Sequence, residues 1–148
     1  MRVLALDYGS AHCGCALSDP TGTIVTPIDA IPRPGGKRGL GALARLVAER
    51  EVEHVVVGLP LSLRGEDTDQ TRETRDFAAT LSARLGDEVP VELYDERFTT
   101  RIAARLGGAG SDEHSRAAAI LLEEWLARLR SYGDARTVHV ATFLLLRE

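Results

Sequence analysis

The side chains best placed to do chemistry in this sequence are acids that follow short apolar runs. Asp7 comes directly after the apolar stretch 3–6, which is short enough for a buried strand, and a charge there must find water, a partner or a metal. In open α/β sheets ligands bind in the crevice beyond the carboxyl ends of the strands. Asp7, followed by the slim backbone of Gly9, is therefore a candidate metal ligand. A second acidic group, Asp95-Glu-Arg97, ends the β-type run 89–94, and a third polar group, Asp112-Glu-His114, opens a long amphipathic segment. Carboxylates brought close together repel one another unless a divalent cation shares them. Two hard cations held in this way can activate a water and stabilise the leaving oxygen of a phosphodiester. On that reading Asp7 bridges the metals, Glu96 holds one of them, and Mg²⁺ or Mn²⁺ suits the oxygen donors.

The elements that must position these groups can be read from periodicity and turn chemistry. A second strand over 10–18 contains small residues and one glycine suited to packing close to the first, and Asp7-Tyr-Gly-Ser10 connects the two as a hairpin. Asp19-Pro-Thr-Gly22 is a turn, and a third strand follows over 23–31, with Pro27 confining it to an edge or bulge. The chain thus opens as an antiparallel meander. Pro32-Arg-Pro-Gly-Gly-Lys-Arg-Gly39 reads as a flexible basic loop before a helix whose inner face carries Leu40, Leu43, Ala44, Val47 and Ala48. The β-branched run 52–57 should pair in parallel with the first strand, as strand-helix-strand crossovers do.

Gly58-Leu-Pro-Leu-Ser-Leu-Arg-Gly65 then lies at the same edge as Asp7, in a loop whose amides can face a phosphate. Asp67-Thr-Asp69 supplies N-cap candidates for a helix through Leu85 that turns Phe77, Leu81 and Leu85 inward, and Gly86-Asp87 closes it. The run 89–94 is a fifth strand. Thr99-Thr100 can cap a short helix over 101–106, and the glycines of 107–110 form a hinge. Ser111 caps a long helix with the apolar stripe Ala117, Ala118, Leu121, Leu122, Trp125, Leu126 and Leu129. Small residues at 117–119 let its first turns lie against the sheet, which brings Asp112-Glu-His114 toward the acid-lined edge.

A chain of 148 residues with 44% hydrophobic content can bury one core, so 1–132 is read as a single domain and 133–148 as a C-terminal extension. No long apolar run suggests a membrane span, and the start lacks the basic and apolar regions of a signal peptide; both point to the cytoplasm. With 22 acidic against 18 basic side chains, the protein does not coat nucleic acid by bulk charge. Local basic groups at Arg33, Lys37 and Arg38, and at Arg97, Arg101 and Arg105, still allow positive patches. Cys13 and Cys15, two apart on one strand, cannot form a disulfide with each other. With His12 they make no soft-metal site, because neighbouring strand residues do not all point one way.

Four motifs in order carry a resemblance over Arg2 to about Leu129. They are Leu6-Asp-Tyr-Gly9 with Ala16-Leu-Ser-Asp19, Val57-Gly-Leu-Pro-Leu61, Tyr94-Asp-Glu-Arg-Phe-Thr-Thr100, and Ala118-Ala-Ile-Leu-Leu122 with Trp125-Leu126. The sequence resembles the YqgF/RuvX family, Holliday-junction-resolvase-like proteins regarded as candidate pre-16S rRNA nucleases with an RNase H-like fold. The resemblance implies an α/β fold with a five-stranded mixed sheet flanked by helices. It implies a divalent-metal-dependent nuclease acting on structured nucleic acid, either the 5′ end of precursor 16S rRNA or branched DNA. Asp7 matches the family's first-strand aspartate, and Glu96 matches the glutamate of its Asp-Glu-Arg motif.

Where the family expects an aspartate at the start of the last helix, this sequence has His114. A neutral imidazole still binds Mn²⁺ and shifts preference away from Mg²⁺, whereas Asp112 takes the place if the preceding loop shifts the helix. Arg64, Arg97 and Arg101 are the expected phosphate contacts. His12-Cys13 stands where the family shows a basic and an apolar residue, which weakens a phosphate contact there. The apolar tail over 137–146 has no family counterpart; it either packs on its own chain or forms a homodimer contact. Two other classes remain. One is a non-catalytic nucleic-acid or ribosome-maturation partner with a degenerate metal site. The other is a sugar-kinase-like or actin-like ATPase, which needs two related domains where this chain has room for one.

Overall fold

The computed structural model describes residues 1–96 and 111–131, without the side chains of 111 and 112. Its apolar opening run becomes β1, Val3–Asp7, in which every residue is buried. Such a run tolerates burial on both faces because β1 is the middle strand of five, in the order β3-β2-β1-β4-β5. β2, His12–Ser18, returns antiparallel with Asp7 opposite Gly14, and β3, Val25–Pro32, pairs antiparallel with β2. Pro27 lies on this edge strand opposite Ala16, the kind of strand to which proline in a sheet is confined. Pairing slips between Cys13 and Cys15, the irregularity expected near such an edge.

The β2–β3 turn is tied by Asp19, whose Oδ1 accepts the N–H groups of Thr23 and Ile24 at 2.8 and 2.9 Å. The Thr21 hydroxyl donates to the other oxygen, and this hydrogen bond, followed by those backbone N–H groups, brings the carboxyl pKa down to about 2.

β4, His54–Leu59, runs parallel to β1, and β5, Val91–Asp95, runs parallel to β4. The crossover helices are α1, Lys37–Glu49, and α2, Asp69–Leu85; the last helix, α3, is Ser111–Ser131. Strand alternation divides the core in two. Leu4, Leu6, Cys13, Cys15, Val55 and Val57 pack with Leu43 and Val47 of α1 and Phe77 and Leu81 of α2. Val3, Ala5, Ala16, Val56 and Tyr94 pack with the α3 stripe of Leu121, Leu122, Trp125 and Leu126. Each large aliphatic or aromatic side chain so buried contributes about 1.5–3 kcal/mol. Both cysteines are free thiols inside the first of these clusters, and burial pushes the Cys13 thiol well up from its ordinary value.

One boundary differs from the sequence reading. The stretch 32–39 is not a loop throughout, because α1 begins at Lys37 with Gly36 as its N-cap. Arg33 turns the chain with a φ of 46°. Gly39, inside the first turn of the helix, then passes so near the Arg33 carbonyl that a Cβ would stand 2.1 Å from its oxygen. Gly39 marks a close approach of two backbones rather than freedom of a loop.

Among the described residues no helix is long and apolar enough to cross a membrane. The helix expected over 101–106, the hinge 107–110 and the tail 133–148 lie outside the described residues, as do Arg97 and Arg101.

Candidate active site at the carboxyl edge of the parallel strands

Alternation along β1 sends Tyr8 toward α2 and leaves Asp7, with Val3 and Ala5, on the α3 side. Asp7 is almost fully buried at the last position of the strand. On β5 the same alternation places Glu92, Tyr94 and then Glu96 toward α3, and Glu96 is as buried as Asp7. Pairing continues to Glu96, whose N–H donates to the Leu59 carbonyl at 3.4 Å. Between the two acids, β4 presents Gly58 at the register of Asp7 and Tyr94, and it adds no side chain to the space between them.

The third member comes from α3. His114 Nδ1 lies 3.0 Å from Asp7 Oδ2, a contact spanning more than a hundred residues of chain. Two features place the ring there. A Cβ on Gly14 would stand 2.0 Å from the His114 carbonyl, so only glycine at that point of β2 lets the first turn of α3 rest on the sheet. Next along the helix, the buried Ser115 hydroxyl donates to the Ile28 carbonyl at 2.7 Å and accepts the Cys15 N–H at 3.3 Å, pinning the helix to β3 and β2. Gly9 keeps the other side slim, since a Cβ there would meet the His12 carbonyl oxygen at 2.8 Å and His114 Cε1 at 3.5 Å. The glycine of the second strand does serve close packing, but its tight neighbour is α3 rather than β1. The sequence reading assigned that glycine to packing against β1, because the approach of α3 across about a hundred residues leaves no local pattern there, and it gave no sign of Ser115.

Beside the pair opens a cavity of about 360 Å³, lined by Tyr8, Ser10, His12, Gln70, Glu73 and His114 among others. The β4–α2 loop borders the same edge. It is held by a capping box between Thr68 and Thr71, while the Thr71 hydroxyl donates to the Pro60 carbonyl. Gly65 N–H donates to the Ser62 carbonyl at 2.8 Å and leaves Arg64 exposed at the tip.

The sequence-predicted residues that the structure describes therefore divide into three groups. Asp7 and His114 are joined, and Glu96 is buried at the end of β5 on their face of the sheet. Asp112 lies in the first turn of α3, with its side chain outside the description. Arg64 stands exposed on the β4–α2 loop. Among the described residues no three His, Cys, Asp or Glu side chains form a ready-made metal cage. The donor chemistry nonetheless fits a hard divalent cation, with two buried carboxylates and one imidazole at one end of a parallel sheet.

A second histidine–carboxylate pair went unnoticed in the sequence. His54 Nε2 lies 2.8 Å from Glu92 Oε1, the same oxygen accepts the Trp125 indole N–H at 2.8 Å, and the imidazole and indole rings stack 5.1 Å apart. Burial pushes the Glu92 carboxyl up, opposed by its hydrogen bonds to His54 and Trp125.

A mixed sheet in this order, with acids ending two of its parallel strands and a covering helix that delivers a histidine to one of them, defines an RNase H-like fold with a polar site at its carboxyl edge. Comparison agrees: Thermus thermophilus RuvC in complex with a Holliday junction substrate matches with a TM-score of 0.56 at 17% identity, over 87% of this chain and 96% of that one. The family profile described as "RuvX: Holliday junction resolvase" matches residues 1–128, and the chain belongs to that family. Relatives named "Putative pre-16S rRNA nuclease" include one from Maridesulfovibrio salexigens, 39% identical over 86% of this chain and 99% of its own length. Another, from Mycobacterium leprae, is 38% identical over 91% of this chain and 77% of its own length.

Proposed function

We propose that this chain is a divalent-metal-dependent nuclease that hydrolyses phosphodiester bonds in structured nucleic acid, at the 5′ end of precursor 16S rRNA or in branched DNA. The observation that carries the reading is the buried Asp7, hydrogen-bonded to His114 at the open end of a parallel strand with Glu96 on the same face. The names of the relatives favour precursor rRNA, and the junction-bound RuvC favours branched DNA.

Asp7, Glu96 and His114 would hold the metal, with Asp112 as the alternative to His114. A bound Mg²⁺ or Mn²⁺ would supply an activated water and neutralise charge on the leaving oxygen. The nitrogen donor tilts the choice toward Mn²⁺. His114 fixes the direction of the Asp7 carboxylate, and Ser115 and Gly14 fix His114. Arg64 on the loop after β4, with Arg97 and Arg101 after Glu96, would hold phosphates and set register without reading bases.

The test is cleavage of a precursor-rRNA 5′ leader, single-stranded RNA, single-stranded DNA and a four-way junction, each with Mg²⁺, Mn²⁺ or EDTA. Metal-dependent cutting is expected, with the ranking of substrates deciding between RNA processing and junction resolution. No cutting of any substrate with either metal would overturn the reading in favour of a nucleic-acid-binding partner.

A further inference from the structure

Tyr8 and Glu73 are shared walls of two cavities, the one of about 360 Å³ beside His114 and another of about 240 Å³ that continues along α2 past Asp76, Phe77 and Thr80 to Gly35. Together they form a groove that leads away from Asp7 between the β1–β2 connection and α2. Its chemistry is wrong for a phosphate backbone. Glu73 and Asp76 are exposed acids, and neither makes an ion pair among the described residues. A polyanion laid along the groove would meet two uncompensated negative charges within its reach.

The same lining suits a nucleobase. Tyr8 is braced from one side by Phe77, with ring centroids 4.6 Å apart and planes at 27°, so its ring offers a stiff aromatic wall. Glu73 lines both cavities together with Tyr8, which brings its carboxylate to the same walls as the ring. Gln70, one helical turn before Glu73, and His12 across the mouth add side chains able to donate or accept.

We propose that this groove is a nucleobase subsite: it takes an unpaired base flanking the phosphate at Asp7, rests it against Tyr8, and has Glu73 accept hydrogen bonds from its Watson–Crick edge. An unpaired guanine offers adjacent N1–H and N2–H donors that match the two oxygens of a carboxylate, whereas uracil offers one N–H between two carbonyls. The inference rests on the nuclease reading for what lies at Asp7, and it adds a preference for a single-stranded guanine next to the cut. Reading of the flanking base is thereby assigned to the acid side of the site, and holding of phosphate to the arginines.

The test measures binding and cutting separately. Fluorescently labelled single-stranded RNA carrying one guanine in a uridine run is compared with the same strand carrying inosine, which lacks the N2 amino group, in EDTA. The full-length protein should bind the guanine strand roughly five-fold or more tightly than the inosine strand, and Glu73→Gln, whose amide replaces one acceptor with a donor, should erase that difference. Tyr8→Ala should weaken both strands by about five-fold or more. Equal affinity for guanine and inosine in the wild type would overturn the subsite whatever the protein cuts. A Glu73→Gln variant that binds every strand more tightly by one common factor, with the guanine preference intact, would show that Glu73 merely repels phosphate and would also overturn it. Retained guanine preference with no metal-dependent cutting would support the subsite and reject the nuclease reading alone.

Discussion

His54–Glu92 and His114–Asp7 are built from the same two functional groups at nearly the same separation, 2.8 and 3.0 Å, and they differ in what surrounds them. In the first pair both side chains are sealed, 1% and 3% exposed, and Glu92 Oε1 also accepts the Trp125 N–H. In the second, Asp7 is sealed at 2% while His114 is 32% exposed and lines an open cavity. The first pair joins β4 to β5 and locks Trp125 of α3 over them, so it holds the fold together. The second joins the start of α3 to the end of β1 and leaves His114 partly facing solvent, the access that the proposed function needs. Under the proposed function, the same two groups hold the fold together where both are sealed and serve the reaction where one of them meets solvent.

The comparison can be broken from either end. Removing the sealed acceptor should cost most. Glu92→Ala strands the His54 ring and the Trp125 N–H in the core, and should lower stability by about 3 kcal/mol in urea denaturation followed by Trp125 fluorescence. Cutting per folded molecule should survive, and a loss of cutting without a loss of stability would reverse the roles assigned to the two pairs. Gly14→Ala should affect both properties. The added methyl must push the first turn of α3 off β2, costing about 1–3 kcal/mol and separating His114 from Asp7. A variant with wild-type stability and activity would show that this contact does not position the histidine.

His114→Ala should leave the melting temperature within a few degrees of wild type, since the ring is partly exposed, yet reduce cutting by roughly 10–100-fold through loss of the group that orients Asp7. His114→Asp should restore cutting with a preference moved from Mn²⁺ toward Mg²⁺. The smallest effect is one of pH. Burial raises the Glu92 carboxyl above its ordinary 4.5, so the folded protein binds that proton more tightly than the unfolded chain. Its contribution to stability is therefore greatest below the ordinary value and declines as pH rises through the raised one. Glu92→Gln should flatten that part of a melting-temperature profile, and an unchanged slope would rule the assignment out.

The two pairs also show what the sequence could and could not reveal. Asp7 and Glu96 were legible because each ends a β-type run, a local pattern that depends only on neighbours in the chain. The approach of α3 to the acid edge was legible from the small residues at 117–119, but the atoms that hold it, Gly14 and Ser115, act across about a hundred residues. The His54–Glu92–Trp125 cluster left no pattern at all. His54 and Glu92 begin or interrupt otherwise apolar strands, and only the parallel register of β4 with β5, together with the seat of α3, shows that they meet. The early start of α1 was hidden for the opposite reason. Gly39 looks like loop punctuation until the Arg33 carbonyl is seen beneath it.

The most direct test of the central claim is single-turnover cleavage in Mn²⁺ by the wild type, Asp7→Asn and Glu92→Gln, each normalised to its folded fraction. The account predicts a fall of roughly 10³-fold or more for Asp7→Asn and a rate within about two-fold of wild type for Glu92→Gln. Cutting that persists in Asp7→Asn, or that disappears in Glu92→Gln while the protein remains folded, would contradict it.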